Sequence, residues 1–185
     1  MPTPLSLHDL PCKDQRVLLR VDFNVPLDSK QKITDDTRIQ SSIPTIQALL
    51  EKGAKIILMS HLGRPTKDDT STLSLAPCAE ALQELLGIPI KFRPHTIGSE
   101  TKNTINQMKS GEILLLENLR FHLGEENPEK DPSFAKNLAE LGDYYVNDAF
   151  GTAHRKHSST FTITQYFPGK CAAGLLMEKE ILFLG

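Results

Sequence analysis

Cationic side chains occur in this sequence at the points where apolar stretches end. His61 and Arg64, in "MSHLGRP", come directly after the apolar run at 56–58. Further cations follow the later stretches "EILLLENL" and "YYVND" in the same way: Arg120, His122, His154, Arg155 and His157. Arginine suits carboxylate and phosphate groups because its planar guanidinium binds two oxygens at once. The recurrence predicts a local binding site for an anion.

Three further polar residues belong to this candidate site. Asp22 and Asn24 follow the apolar stretch that starts at Arg16, and strand alternation would place both on the same face as Arg20. They could accept hydrogen bonds from a hydroxyl of the ligand or orient an arginine. Arg38, in "DDTR", adds a cation just before the first predicted helix.

The elements that must position these residues alternate along the chain. Apolar and β-branched stretches predict strands at 16–23, 55–60, 88–92, 112–119 and 143–150. Helical spacing predicts helices at 42–53, 74–87, 99–111, 131–142 and 172–185. Such alternation is typical of βαβ units, and we expect an α/β fold, a three-layer α/β/α sandwich with a mainly parallel, Rossmann-like sheet. The carboxyl ends of its strands would share one edge, where ligands bind in open parallel sheets.

Several residues mark helix ends. We expect Pro44 to lie in the first turn of its helix, the place where a proline is tolerated, and Ser74 to be the N-cap of the helix at 74–87. Gly87 predicts the stop of the same helix. Asp131 and Pro132 predict the N-cap and first position of another helix.

Each cation also has a simpler interpretation. A single arginine after a strand is most often a solvated surface residue. His61 could be a hydrogen-bonded structural histidine or a ligand contact, and both remain open. His154 and His157 could lie in an exposed polar loop. The shared position at strand ends favours the anion site.

Composition narrows the function classes. The 21 basic and 23 acidic residues give a net charge of −2, so no overall field attracts nucleic acid or an anionic membrane. Three widely spaced cysteines indicate free thiols, and the N-terminus resembles no targeting peptide, so we expect a cytoplasmic protein. No GxGxxG, P-loop or HExxH motif occurs, and no carboxylate cluster indicates a metal site.

Five long motifs resemble those of phosphoglycerate kinases. They are "RVLLRVDFNVPLD" (16–28), "ITDDTRIQSSIPTIQALLEKGAKIILMSHLGRP" (33–65), "LSLAPCAEALQELLG" (73–87), "GEILLLENLRFHLGEE" (111–126) and "YYVNDAFGTAHRKHSS" (144–159). The family transfers a phosphoryl group reversibly between 1,3-bisphosphoglycerate and ADP, giving 3-phosphoglycerate and ATP. The resemblance implies that residues 1–170 form the phosphoglycerate-binding N-terminal domain and that residues 171–185 begin the interdomain helix.

The resemblance also implies what this chain would lack. Mg²⁺ and ATP or ADP would be bound mainly by a nucleotide-binding C-terminal domain that is absent here, so the chain would be inactive alone. We expect a monomer that binds 3-phosphoglycerate or 1,3-bisphosphoglycerate, with no nucleic-acid or membrane partner. The alternative is a non-catalytic anion-binding α/β module. A nicotinamide-dependent oxidoreductase lacks its glycine fingerprint.

Site roles follow from the matching motifs. The resemblance implies that Arg38 is catalytic, acting on the transferring phosphoryl group. It implies that seven residues bind substrate: Asp22, Asn24, Arg38, His61, Arg64, Arg120 and Arg155. It assigns no cofactor or metal ligand to this chain.

Overall fold

The computed structural model describes residues 5–67 and 70–184, and in this part of the chain six strands form one parallel sheet. The strands are β1 (Arg16–Arg20), β2 (Lys55–Met59), β3 (Ile90–Arg93), β4 (Ile113–Leu116), β5 (Tyr144–Asn147) and β6 (Cys171–Ala173). Their order is β3-β4-β2-β1-β5-β6. The loops that follow β1, β2, β4 and β5 therefore lie side by side at one edge.

Helices cover both faces of this sheet. They are α1 (Thr37–Glu51), α2 (Ala76–Leu86), α3 (Ser99–Asn106), α4 (Leu123–Glu126), α5 (Ser133–Ala139) and α6 (Leu175–Leu184). Alternate residues of β1 face opposite sides: Val17 and Leu19 pack in the core with α1 and α2, and Leu18 packs in the core with α3 and α5. This arrangement confirms the predicted α/β/α sandwich.

The first helix differs from its prediction. It begins at Thr37 rather than at 42, so Pro44 lies in its interior and Arg38 lies in its first turn. A proline there removes one helical hydrogen bond, to the carbonyl of Gln40. The helix continues because its inner face, including Ile39 and Ile46, is fully buried against the sheet. Apolar burial on this scale outweighs the lost bond.

The last predicted helix was also too long at its start. Residues Cys171–Ala173 form β6, which pairs with β5, and α6 begins only at Leu175. A strand of three residues is too short to show a period of two in the sequence.

None of the described helices has the length and apolar character needed to cross a bilayer.

The predicted caps were partly right. Gly87 ends α2 in the left-handed conformation, as predicted, and its N–H donates to the carbonyl of Gln83. Leu75, not Ser74, occupies the N-cap position of α2. Similarly, α5 begins at Ser133, with Pro132 rather than Asp131 at its N-cap.

Candidate functional site

An open cleft of about 320 Å³ lies at the carboxyl edge of the sheet. All seven residues that the sequence predicted for the site line it: Asp22, Asn24, Arg38, His61, Arg64, Arg120 and Arg155. They come from the loops after four neighbouring strands and from the first turn of α1. Their roles toward a ligand stay predictions, but the structure brings all of them together.

The loop after β1 carries the acceptor groups of the cleft. The chain leaves regular strand pairing after Arg20, where the N–H of Phe23 donates to Ser60 Oγ at 2.9 Å. Asp22 Oδ1 accepts from the N–H of Asn24 at 3.0 Å. The alternation predicted for this segment persists, because Phe23 is fully buried and Asp22 and Asn24 face the cleft.

Gly63 connects three of the loops that form the cleft. Its N–H donates to Asn24 Oδ1 at 2.8 Å, and its carbonyl accepts from Arg120 Nη1 at 2.9 Å. Its φ of +62° lies in the left-handed region, and a Cβ would come within 2.9 Å of a methyl carbon of Leu73. The backbone at Gly63 therefore holds Asn24 and Arg120 at a fixed separation.

Replacing Gly63 by alanine should weaken both the fold and ligand binding. The left-handed backbone should cost roughly 1–2 kcal/mol of unfolding free energy, measured in urea. Affinity for an anionic ligand should fall as well, because Asn24 and Arg120 lose their common anchor. Gly87→Ala is the matched control, since Gly87 has φ +71° with no atom within 4 Å of an added Cβ. Equal losses of affinity in both variants would contradict the role of Gly63.

Arg38 projects from the first turn of α1 toward the acceptor groups. Its Nη1 donates to the carbonyl of Asn24 and lies 3.8 Å from Asp22 Oδ1. About half of the side chain (52%) remains exposed. The Asp22 carboxylate therefore orients Arg38 while much of the guanidinium stays available to a ligand.

His61 lies deep in the cleft, with only 3% of its surface exposed. Its Nδ1 is 2.9 Å from Arg20 Nη2. Burial, and after it the positive charges of Arg20 and Arg120, together lower the pKa of His61 from 6.5 to about 2. The structure shows that His61 is both a hydrogen-bonded structural residue and part of the cleft wall.

The remaining cations differ in exposure. Arg64 and Arg155 are exposed at the rim, whereas the Arg120 side chain is only 5% exposed. Burial lowers the pKa of the Arg120 guanidinium, Glu126 opposes this, and the nearby charges of Arg155 and Arg64 lower it again. Such mutual repulsion favours a multiply charged anion in the cleft.

The two histidines of the loop after β5 have different positions. His154 is exposed, in agreement with the simpler interpretation. His157 is only 8% exposed, and its buried Nδ1 has no hydrogen-bond partner among the described residues. Burial lowers the pKa of His157, and the charge of Arg120 adds to that effect. For His157, the exposed-loop interpretation is wrong.

A buried ionic network lies behind the cleft, and the sequence alone did not predict it. Arg20 is fully buried and donates from Nε to Ser159 Oγ at 2.8 Å. Ser159 Oγ in turn donates to Glu125 Oε1 at 2.5 Å, and its N–H donates to Glu125 Oε2 at 3.1 Å. The available signal was an arginine inside an otherwise apolar stretch, "VLLRV", which requires a partner that only the fold supplies.

Asp148 is a second buried acid that the sequence did not single out. It lines a cavity of about 260 Å³ that adjoins the cleft through Asp22 and Arg38. Its Oδ1 accepts from the N–H of Met177 at 3.1 Å, in the first turn of α6. A Cβ at position 174 would overlap this carboxylate, so Gly174 permits the contact.

The stability of the protein should depend on pH through Asp148. Burial raises the pKa of Asp148 from 3.8 to about 6, against opposing hydrogen bonds from Thr45 and from the backbone of α6. Between these values the folded state binds more protons than the unfolded state, so stability falls as pH rises through the window. The Asp148→Asn variant does not titrate there. Relative to it, the wild type should lose on the order of 3 kcal/mol between pH 4 and 7.

Urea unfolding of both proteins across that range measures the difference. Asp9→Asn, at an exposed position, provides the control and should follow the wild type. A constant difference between wild type and Asp148→Asn at every pH would contradict the raised pKa of Asp148.

Among residues 5–67 and 70–184, no group of three or more His, Cys, Asp or Glu side chains could hold a metal ion. A parallel α/β sheet whose carboxyl edge gathers four arginines and a histidine around one cleft has the geometry and charge that suit a small, multiply charged anion. Comparisons with known proteins identify its family.

The family model described as "Phosphoglycerate kinase" matches residues 7–185, and the chain belongs to that family. A phosphoglycerate kinase from Chlamydia felis is 54% identical over 182 residues, which cover 98% of this chain and 45% of that relative. The solved structure of phosphoglycerate kinase from Pyrococcus horikoshii OT3 matches 97% of this chain and 44% of its own, with a TM-score of 0.84 and 35% identity. That from Coxiella burnetii matches with a TM-score of 0.80 and 37% identity, again over 97% of this chain. The chain spans about half the length of these relatives.

Proposed function

We propose that this chain is the phosphoglycerate-binding part of an enzyme that transfers a phosphoryl group reversibly between 1,3-bisphosphoglycerate and ADP, giving 3-phosphoglycerate and ATP. The observation that carries the proposal is the gathering of all seven predicted residues around one cleft. Family membership supports the choice of substrate, because 3-phosphoglycerate carries a carboxylate, a hydroxyl and a phosphate on three carbons.

The chemistry of the cleft suits those three groups. Asp22 and Asn24 supply acceptors for the substrate hydroxyl, and Asn24 is itself held by Gly63. The buried His61 and Arg120 and the rim residues Arg64 and Arg155 supply donors for carboxylate and phosphate oxygens. The fixed positions of the buried donors favour one orientation of the substrate.

Arg38 is the residue that we assign to the transfer step. The transition state of phosphoryl transfer spreads negative charge over the equatorial oxygens, so catalysis consists mainly of positioning and charge stabilisation. The acceptor is already a carboxylate, and no general base is required. Arg38 is half exposed and oriented by Asp22 and Asn24, which suits a guanidinium that must meet a group arriving from outside this domain.

The nucleotide is the second substrate of the proposed reaction. In this proposal Mg²⁺ and ATP or ADP are bound by a separate C-terminal domain, and α6 leads toward it. The boundary expected at residue 170 moves past β6, because Cys171–Ala173 pair with β5 in the sheet of the substrate domain. The chain alone binds substrate and does not turn it over. We further propose that it is monomeric and cytoplasmic.

Backbone-amide NMR during titration with 3-phosphoglycerate tests the proposal, with sulfate as the competing anion. We expect saturable shifts at residues 22–24, 38, 61–64, 120 and 155, at concentrations well below those that sulfate requires. An Arg120→Met variant should lose most of the response while keeping its dispersed spectrum. Equal affinity for sulfate would favour the alternative, a non-catalytic anion-binding module, and would refute the proposal.

A further inference from the structure

The contact between Arg20 and His61 determines which form of the imidazole is possible. Arg20 Nη2 lies 2.9 Å from His61 Nδ1, and both side chains are almost completely buried. A guanidinium carries only donors and stays charged in proteins. Nδ1 must therefore be the acceptor, which leaves the single imidazole proton on Nε2.

We propose that Arg20 is a positioning residue of the cleft, which holds His61 neutral with its proton on Nε2 so that His61 donates a hydrogen bond to the bound anion. The part of this inference that concerns the ligand rests on the proposed function. The part that concerns the imidazole rests only on the contact between the two side chains.

The second ring nitrogen of His61, Nε2, is available to a ligand, since it is not among the buried polar atoms of the described residues that lack a partner. His61 lines the cleft, and among the described residues no protein group is hydrogen-bonded to its Nε2. Nδ1 is occupied by Arg20, so Nε2 is the atom left to meet a substrate oxygen. A neutral donor there contributes one directed hydrogen bond without adding a further charge to the cleft.

Arg20 is itself fixed on three sides. Besides His61, its guanidinium donates to Ser159 Oγ at 2.8 Å and to the carbonyl of Val21 at 2.5 Å. Ser159 Oγ in turn donates to Glu125, whose carboxylate offsets the buried positive charge of Arg20. The network joins β1, α4 and the loop after β5, so the imidazole is oriented by the tertiary structure and not by its own loop alone.

The charged groups around His61 all lower its pKa. Arg20 on β1, Arg120 after β4, and Arg155 and His157 after β5 all disfavour a second proton on the imidazole, in addition to its burial. An imidazolium would also place an N–H against the guanidinium of Arg20. His61 should therefore keep the same donor between pH 5 and 8, the range in which an ordinary histidine changes charge.

Long-range ¹H–¹⁵N correlation spectra of the histidine side chains test the inference on the wild-type chain without ligand. The His61→Gln variant identifies the His61 signals. We expect an unprotonated Nδ1, a protonated Nε2 and no titration of His61 between pH 5 and 8. A protonated Nδ1, or a titration midpoint inside that range, would overturn the proposal.

The Arg20→Met variant tests the cause. His61 should then populate both tautomers, and its pKa should rise, because burial and Arg120 still disfavour a second proton but Arg20 no longer does. Affinity for 3-phosphoglycerate should fall about tenfold or more, as expected for a misdirected hydrogen bond to a charged group. Arg16→Met, at the other end of β1, is the control and should leave His61 unchanged. A folded Arg20→Met protein with an unaltered His61 would remove Arg20 from this role.

Two outcomes separate this inference from the proposed function. If Arg20→Met does not fold, the wild-type spectra still decide the tautomer. If wild-type His61 has the expected tautomer but the chain does not bind 3-phosphoglycerate, the proposed function fails while the control of His61 by Arg20 stands.

Discussion

Replacing Arg38 by alanine should reduce turnover by roughly 10³-fold or more in a two-domain protein that carries this domain, as arginine contacts in other phosphoryl-transfer enzymes do. The physical reason is that Arg38 would be the cation nearest to the transferring group. Its guanidinium is oriented by Asp22 and Asn24 and yet remains half exposed. The fold should survive, because the side chain contributes little to the core.

Steady-state kinetics of the two-domain protein, supported by urea unfolding, measure this effect. The loss should appear mainly in kcat, since the interaction would strengthen in the transition state. Lys102→Ala removes a half-exposed cation of α3 and should leave kcat unchanged. Retained turnover in Arg38→Ala would assign the role to another cation of the cleft.

Replacing Glu125 by glutamine should produce the largest loss of stability among single substitutions in the site. Glu125 is fully buried and is the acid that offsets the buried charge of Arg20, to which Ser159 connects it. Removing one partner of a buried charge pair leaves the other uncompensated, at a cost of about 3–5 kcal/mol. The amide would also present a donor to a Ser159 group that already donates.

Urea unfolding of a small set of variants separates charge compensation from general disruption. Glu126→Gln, at the neighbouring position, should cost less than Glu125→Gln, because Glu126 is half exposed and lies 3.7 Å from its partner Arg120. The double variant Arg20→Met with Glu125→Gln should lose less stability than the two single variants added together, because neither charge is then left alone. Strict additivity would show that the two charges do not interact.

The fold was predictable because parallel α/β proteins have a strong periodic signal. Four of the six described strands (β1, β2, β4 and β5) consist largely of continuous apolar residues, β3 alternates apolar and charged residues, and the segments between the strands have helical spacing. β6 was not predictable, since three residues define no period and its pairing partner β5 lies more than twenty residues earlier. The interior position of Pro44 was also unpredictable, because the local preference against it is overcome only by burial of α1.

The membership of the cleft was predictable for a geometric reason. Strands of a parallel sheet end at the same edge, so cations that follow different strands meet there whatever their separation in the chain. That argument, together with the family resemblance, identified seven residues that line the cleft, but not Gly63, Gly151 or Thr152, which line it as well. The same argument did not indicate that the backbone of Gly63 would form hydrogen bonds with both Asn24 and Arg120, because hydrogen bonds between loops depend on loop conformation.

Residue types and spacing alone were therefore sufficient to predict the sheet and the edge at which the polar residues gather, and they led to the hypothesis of an anionic ligand. The contact between Arg20 and His61, the buried connection from Arg20 through Ser159 to Glu125 and the raised pKa of Asp148 depended on tertiary structure. Each of these properties arises from groups that are distant in the chain, and their energies change steeply with separation and burial. Local periodicity carries no information about such distances, which packing of the whole domain establishes.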